Sequence, residues 1–172
     1  MAKTTLKALL KEDPVFVKKV KAITKMKMKD ELWAEEIENL HVSRGIRALN
    51  TTALLQSSVH VGIESNIENQ AVRSRCVEIK MRALKQILTF EETAKYLKKY
   101  IGAKYARQLK KSYGTITERK ATIDYALNEI DNLVERLKFV VKIADVVIED
   151  TDAAGYSLHR IGTLLEQKSK DR

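Results

Sequence analysis

The chain of 172 residues has the length of a single domain, and its 44% hydrophobic and 32% charged residues are typical of an ordered helical protein rather than a disordered chain. Its single cysteine excludes an intrachain disulfide, and the longest apolar run, residues 139–148, is far short of the roughly 20 residues that a bilayer span needs. Pro14 is the only proline, so the rest of the chain lacks the strongest helix breaker and long helices are expected.

The net charge of +9 is distributed in four blocks of alternating sign. Residues 1–29 carry +7, residues 30–70 carry −5, residues 71–120 carry +10 and residues 121–172 carry −3. A basic block of this size is expected to face either a polyanion or an acidic surface on a neighbouring copy of the chain. Both interpretations stay open at the level of sequence.

The first two predicted helices meet at Asp13. An apolar side of a short first helix is formed by Leu6, Leu9 and Leu10. Asp13 has the side chain of an N-cap, and Pro14 suits the first position of a second helix. The apolar stripe of that second helix consists of Val17, Val20 and Ile23.

The next segment carries weaker signals. In residues 25–29 (KMKMK), lysine and methionine alternate as in a strand, but no residue is β-branched. The strand signal is therefore weak, and we interpret this segment as a helix end or a loop. Asp30 is predicted to cap a third helix that carries Trp33 and Ile37. In residues 57–66 (SSVHVGIESN), apolar residues occur at every second position from Val59 to Ile63 and a glycine interrupts them, so we expect a connection or a short extended segment there.

A long helix is predicted from about residue 67, with a kink near Gly102 and a break at Gly114. Its main apolar stripe is formed by Val72, Cys76, Ile79, Ala83, Ile87 and Phe90. The basic residues expected on the opposite side are Arg73, Arg75, Lys80, Arg82 and Lys85.

The last helix is predicted to start at a capping box formed by Thr115 and Glu118. Apolar residues recur in heptads over residues 123–165 and also fill the e positions, a broader stripe than a two-stranded coiled coil requires. We therefore predict an all-α fold, a long antiparallel helical hairpin or bundle with a small N-terminal helical attachment. In terms of domains, residues 1–29 are predicted to form a basic N-terminal helical arm and residues 30–172 a helical bundle domain.

The strongest candidate for a functional site is residues 95–114 (KYLKKYIGAKYARQLKKSYG), where basic side chains alternate with tyrosines. Cations contact phosphates without sequence preference and tyrosine rings stack on unpaired bases, so this composition favours single-stranded nucleic acid. The alternative is a solvated amphipathic helix whose tyrosines lie at the core margin. The predicted nucleic-acid-binding residues are Lys18, Lys19, Lys21, Lys25, Lys27 and Lys29 in the arm, Arg73 and Arg75 in the long helix, and Lys95, Lys98, Lys99, Tyr100, Lys104, Tyr105, Arg107, Lys110 and Lys111 in the tyrosine-rich segment.

No catalytic signature occurs in the sequence, so we expect a non-enzymatic protein without a cofactor or metal. Glu38 and His41 have the E-x-x-H spacing of di-iron bundles, but neither His60 nor His159 has a glutamate three residues before it. Cys76 lies in an apolar stripe, so a buried structural thiol is expected rather than a nucleophile.

Three features resemble the single-strand-binding recombination mediator proteins of T4-like phages. They are the opening LKALLKEDPVF at residues 6–16, the middle rich in lysine, arginine and tyrosine, and GYSLHRIGTLLEQK at residues 155–168. The resemblance implies a ring-like homo-oligomer that binds single-stranded DNA and helps to load a recombinase in place of the single-strand-binding protein. It carries no functional residue over to this chain, because the basic positions do not align unambiguously.

The sequence therefore predicts a non-enzymatic accessory protein that binds single-stranded DNA as a helical oligomer in recombination or replication, with a recombinase or another protein as a further partner. The competing interpretation is a structural or scaffolding protein, for example of a virus, whose charge blocks pair between subunits. A third is peripheral binding of the first forty residues to an anionic membrane. We expect a cytoplasmic location, the host cytoplasm for a viral protein, because no apolar leader begins the chain.

Overall fold

The fold is all-α, as a computed structural model of the chain shows. The structure describes residues 6–26, 28–54 and 59–170, of which all but Asp13, Tyr105, Tyr113, Gly114 and Thr115 are helical and none forms a strand. The helices are α1 (Leu6–Glu12), α2 (Pro14–Met26), α3 (Met28–Leu54), α4 (Val59–Lys104), α5 (Ala106–Ser112) and α6 (Ile116–Lys170). The structure thus confirms the predicted helical class. Of residues 25–29, predicted as a helix end or a loop, residues 25–26 belong to α2 and residues 28–29 to α3, while Lys27 lies outside the described residues.

The two longest helices, α4 and α6, pack antiparallel. Early in α4, Arg73 donates from Nε to Asp152 Oδ1 at 2.7 Å. Later in α4, Lys98 Nζ lies 2.8 Å from Asp124 Oδ1. In the first part of α4, Lys80 follows Arg73 and pairs with Asp145, and in the second part Glu91 precedes Lys98 and pairs with Lys138. In each part the partners therefore run in opposite directions along the two helices, which confirms the predicted helical hairpin.

The chain divides into two compact units. Unit 1 contains Met1–Asp30 and Leu84–Lys138, and unit 2 contains Glu31–Ala83 and Phe139–Arg172. The largest fully buried side chains of unit 1 are Phe90, Leu97, Ile101, Leu127, Ile130 and Leu137, and those of unit 2 are Ile37, Cys76, Ile79 and Val140. Residues 1–29, predicted as a separate arm, belong to the same unit as the second half of α4, and the domain boundary after residue 29 stays a prediction.

Two predicted helix caps are present in the structure. Asp13 Oδ1 accepts the backbone N–H of Val15 at 2.9 Å and that of Phe16 at 3.2 Å, so it caps α2. Thr115 and Glu118 form the reciprocal capping box, in which the Thr115 N–H donates to Glu118 Oε2 at 3.0 Å and the Glu118 N–H to Thr115 Oγ1 at 3.1 Å. Both caps could be predicted from the sequence because each capping side chain lies within three residues of the backbone N–H groups that it binds.

Two other local predictions were wrong. Asp30 lies inside α3 rather than at its cap, and its buried carboxylate pairs through Oδ2 with Arg136 Nε of α6 at 3.1 Å. Residues 59–66, predicted as a connection or extended segment, form the start of α4, while residues 55–58 lie outside the described part of the chain. Each residue added to an existing helix gains a hydrogen bond, which outweighs the weak strand signal of three alternating apolar residues.

The interruption of the long helix lies three residues after Gly102, at Tyr105. Tyr105 has φ −103° and ψ 17°, and it separates α4 from α5. Backbone hydrogen bonds continue across it, because its N–H donates to Ile101 O at 3.0 Å and its carbonyl accepts the Leu109 N–H at 2.9 Å. The helical hydrogen bonds therefore continue past Tyr105 without an open loop.

The heptad stripe of α6 is buried only along part of the helix. The buried members are Leu127, Ile130, Leu133, Val134, Leu137, Val140, Ala144, Val147 and Thr151. Beyond Thr151 the helix continues without a break, but its described side chains are half-buried or exposed. Among the described helices, none is long and apolar enough to cross a bilayer.

Candidate nucleic-acid interface

The whole net positive charge of the chain belongs to unit 1. This unit carries 21 lysines and arginines against 10 aspartates and glutamates, a net charge of +11. Unit 2 carries 11 basic against 13 acidic residues, a net charge of −2. The four charge blocks of the sequence thus become one strongly basic unit and one nearly neutral unit.

The lysines of α2 form the first part of the basic surface. Lys18, Lys19, Lys21 and Lys25 are exposed, and none of them forms an ion pair with a described residue. Lys19 Nζ lies 5.4 Å from the centroid of the Tyr96 ring, which joins the α2 lysines to α4. The predicted site residue Lys27 and the side chain of Lys29 lie outside the described part of the structure.

Further exposed cations follow on α4 and α5. They are Lys95 and Lys99 on α4 and Arg107, Lys110 and Lys111 on α5, none of which pairs with an acidic side chain of the described residues. Lys98 differs, because its hydrogen bond to Asp124 raises the pKa of its ammonium group. Unpaired exposed ammonium and guanidinium groups remain available to phosphates.

Three predicted site residues, Tyr100, Lys104 and Tyr105, converge instead on the buried carboxylate of Asp13. Tyr105 donates its hydroxyl hydrogen bond to Asp13 Oδ2 at 2.6 Å, Lys104 Nζ donates to the same oxygen at 2.8 Å, and Tyr100 donates at 3.0 Å. With the two backbone N–H groups of α2, the carboxylate has five hydrogen-bond donors.

These contacts fix the ionisation of the cluster. Burial alone would raise the pKa of Asp13, but hydrogen bonds, from Lys104 and Tyr105 above all, hold it well below its usual 3.8. Burial and the bond to Asp13 raise the pKa of Tyr105 to about 12. Hydrogen bonds to Asp13 and Tyr100 raise the pKa of Lys104. Asp13 is therefore a carboxylate and Lys104 an ammonium group at neutral pH.

An aromatic ring accessible to a ligand beside the α2 lysines is that of Tyr96, which the set of predicted site residues omitted. It is about half exposed and stacks on Tyr100, with ring centroids 6.2 Å apart and an angle of 13° between the planes. Tyr105, by contrast, is buried. The i, i+4 spacing of Tyr96 and Tyr100 on a basic helix could have identified the pair.

In unit 2, the predicted cations Arg73 and Arg75 already have acidic partners. Arg73 forms a two-pronged ion pair with Asp152. Arg75 pairs with Glu36 through Nε at 2.6 Å and also with Glu78, and these carboxylates raise its pKa. Both guanidinium charges are already paired with carboxylates of the same unit, so neither arginine belongs to the unpaired basic surface of unit 1.

The described residues contain no group of three or more His, Cys, Asp or Glu side chains that could hold a metal ion. His41, from the E-x-x-H pattern, is half-exposed and lies 3.9 Å from Asp150. Cys76 is fully buried, as predicted, and burial raises the pKa of its thiol.

Comparison with known proteins adds no relative to this picture. No protein-family model, curated protein or solved structure matches the chain significantly.

Proposed function

We propose that the protein is a non-enzymatic accessory protein that binds single-stranded DNA through unit 1 and acts as a homo-oligomer in recombination or replication. The observation that carries this proposal is the net charge of +11 on unit 1, together with exposed, unpaired cations on three of its helices. A recombinase or another protein of the same process would be the further partner. The polyanion is the occupant that such a surface attracts most strongly.

The single strand is favoured over the duplex for two reasons. The cations lie on helix faces without a recognition motif for the major groove, so they contact phosphates and not base edges. Tyr96 adds an exposed ring beside Lys19 and Lys95, and unpaired bases stack on such rings. Sequence specificity is not expected from this arrangement.

The proposal is tested by fluorescence anisotropy of labelled single-stranded and duplex oligonucleotides across a salt series. We expect micromolar or tighter binding that favours the single strand and weakens steeply with salt, with a log–log slope of about −0.7 per phosphate contact. Absence of binding at low salt by a folded, well-defined oligomer would contradict the proposal.

A second candidate, a structural assembly protein, is favoured by apolar side chains on the surface of unit 2. Met81, Phe139 and Val146 are each more than half exposed. Met81 on α4 and Val146 on α6 directly follow the two partners of the Lys80–Asp145 ion pair, so each helix carries an exposed apolar side chain next to this pair. Exposed apolar side chains that form a contiguous patch mark contacts between proteins. The same surface would serve the homo-oligomer of the first proposal.

Phe139→Glu is expected to lower the mass measured by light scattering without lowering the melting temperature. The side chain is already exposed in the single chain, so the charge disrupts only a contact between copies. Gln167→Glu is the matched control, because it adds the same single carboxylate at an exposed position of α6 far along the helix from Phe139 without removing an apolar group. An unchanged mass for Phe139→Glu at every concentration would show that this area is not an interface.

A further inference from the structure

A groove in unit 1 has the composition of a ligand site. Its volume is about 580 Å³, and it lies between the N-terminal helices and the start of α6. That volume is within the roughly 300–1,000 Å³ of small-ligand sites. The apolar side chains that line it are Leu6, Leu10, Phe16, Val20 and Ile130.

The polar rim of the groove carries two cations and two aromatic rings. Lys7 and Lys11 lie one turn apart on α1 and are exposed, and Tyr113 and Tyr125 complete the rim. Tyr125 is 71% exposed, and Lys7 Nζ lies 5.9 Å from the centroid of its ring. Glu129 is the one acidic side chain among the described residues that line the groove, so the rim keeps a positive balance.

We propose that this groove receives bases of the bound single strand, with Tyr125 as a stacking platform and Lys7 and Lys11 as phosphate contacts. The inference rests on the proposed function and adds a second part to its site, because none of these residues is among those predicted from the sequence. Tyr113 directly follows α5 and its lysines, which connects the groove to the basic surface of α4 and α5.

Charge complementarity selects the base over an apolar peptide or a second copy of the chain. A nucleotide combines a flat apolar ring with a negative phosphate, and the groove combines an apolar floor with ammonium groups at its edge. The ammonium of Lys7 lies near the Tyr125 ring, and Tyr125 as a whole is largely exposed to solvent. A purely apolar occupant would use the floor and make no ionic contact with either ammonium group at the edge.

The test is the affinity of Tyr125→Ala for a labelled single-stranded oligonucleotide, measured by anisotropy. Loss of one stacked base is expected to weaken binding about 5- to 150-fold while leaving the salt slope unchanged, because no phosphate contact is lost. Tyr125→Phe should bind like the unchanged chain. Tyr156→Ala is the matched control, since Tyr156 is 79% exposed on the same helix but belongs to unit 2.

A second oligonucleotide in which abasic sites replace the bases tests the stacking itself. The unchanged chain should prefer the base-containing strand, and Tyr125→Ala should lose most of that preference. If the unchanged chain binds single strands but Tyr125→Ala binds as tightly as Tyr156→Ala, the groove inference is wrong and the proposed function survives. A changed oligomer mass with unchanged DNA affinity would also overturn it, in favour of a second copy as the occupant. Failure of the unchanged chain to bind DNA would overturn the proposed function itself.

Discussion

Replacing Lys18, Lys21 and Lys25 together with alanine is expected to weaken single-stranded DNA binding by roughly 500-fold at about 50 mM salt. All three side chains are exposed on α2 and have no ion-pair partner among the described residues. Lys19 is left in place because its ammonium lies over the Tyr96 ring. The fold should not change, since substitutions at exposed positions usually alter stability by less than about 0.5 kcal/mol.

The size of this effect follows from counterion release. Each phosphate contact to a single strand contributes a log–log slope of about −0.7, so three lost contacts remove about 2 from the slope. Extrapolated from about 1 M salt, where the electrostatic contribution vanishes, to about 50 mM, that change of slope amounts to roughly 500-fold. The measurement is anisotropy across a salt series, with the slope as the primary result.

The matched control removes the same charge from unit 2. Lys142, Arg160 and Lys170 are exposed on α6, and their replacement by alanine gives the same net charge of +6 for the whole chain. If binding responds only to net charge, both triple variants will lose affinity equally, and the assignment of the interface to unit 1 will be wrong. A slope that changes only for the α2 variant supports the assignment.

The position of the basic surface could be predicted from sequence only in part. The N-terminal lysines and those of residues 95–111 stand out by composition, and the structure leaves most of them exposed and unpaired. Arg73 and Arg75 belong to the same basic block of the sequence, but the fold places them beside Asp152 and Glu36 in unit 2. The boundary between the units falls inside the continuous helix α4, where no change in composition marks it.

The cluster around Asp13 also combines a local contact that could be predicted from sequence with distant contacts that could not. Its role as the cap of α2 was predictable, because the proline that follows it and the start of the apolar stripe are adjacent in sequence. Its partners Tyr100, Lys104 and Tyr105 lie 87 to 92 residues away, and only the packing of α2 against the end of α4 brings them together. Composition alone assigned these three side chains to a nucleic-acid surface, whereas the structure also gives them a role in attaching the N-terminal helices.

Asp13→Ala is accordingly expected to lower the free energy of unfolding by about 3 kcal/mol. Loss of an N-cap costs about 1 kcal/mol, and a buried hydroxyl left without its acceptor, here that of Tyr105, costs about 1–3 kcal/mol. For a protein of this size the melting temperature should fall by roughly 6–12 °C. Asp13→Asn keeps an acceptor for the α2 amides and should lose about half as much.

Asp13→Ala should also make the free energy of unfolding less sensitive to acid pH. The hydrogen bonds that Asp13 accepts hold its folded pKa well below the usual 3.8, so the unfolded chain binds a proton at a higher pH than the folded chain does. The contribution of Asp13 to stability is therefore complete above about pH 5 and is lost as the pH falls through 4 and below. Tyr105, with a folded pKa of about 12, has the opposite sign, because its contribution is lost as the pH rises above 10.

Urea unfolding at neutral pH measures the loss of stability in Asp13→Ala, and urea unfolding near pH 3 measures how much of that loss depends on the ionised carboxylate. Glu12→Ala is the control, since it removes an exposed carboxylate next to Asp13 and should change stability by no more than about 0.5 kcal/mol. The difference in unfolding free energy between the unchanged chain and Asp13→Ala should be large at neutral pH and should shrink toward pH 3, as the carboxylate becomes protonated in the unfolded chain. If this difference in unfolding free energy stays constant with pH, Asp13 acts through packing and not through its charge. If it is no larger than the difference for Glu12→Ala, the cluster around Asp13 does not hold the N-terminal helices in place.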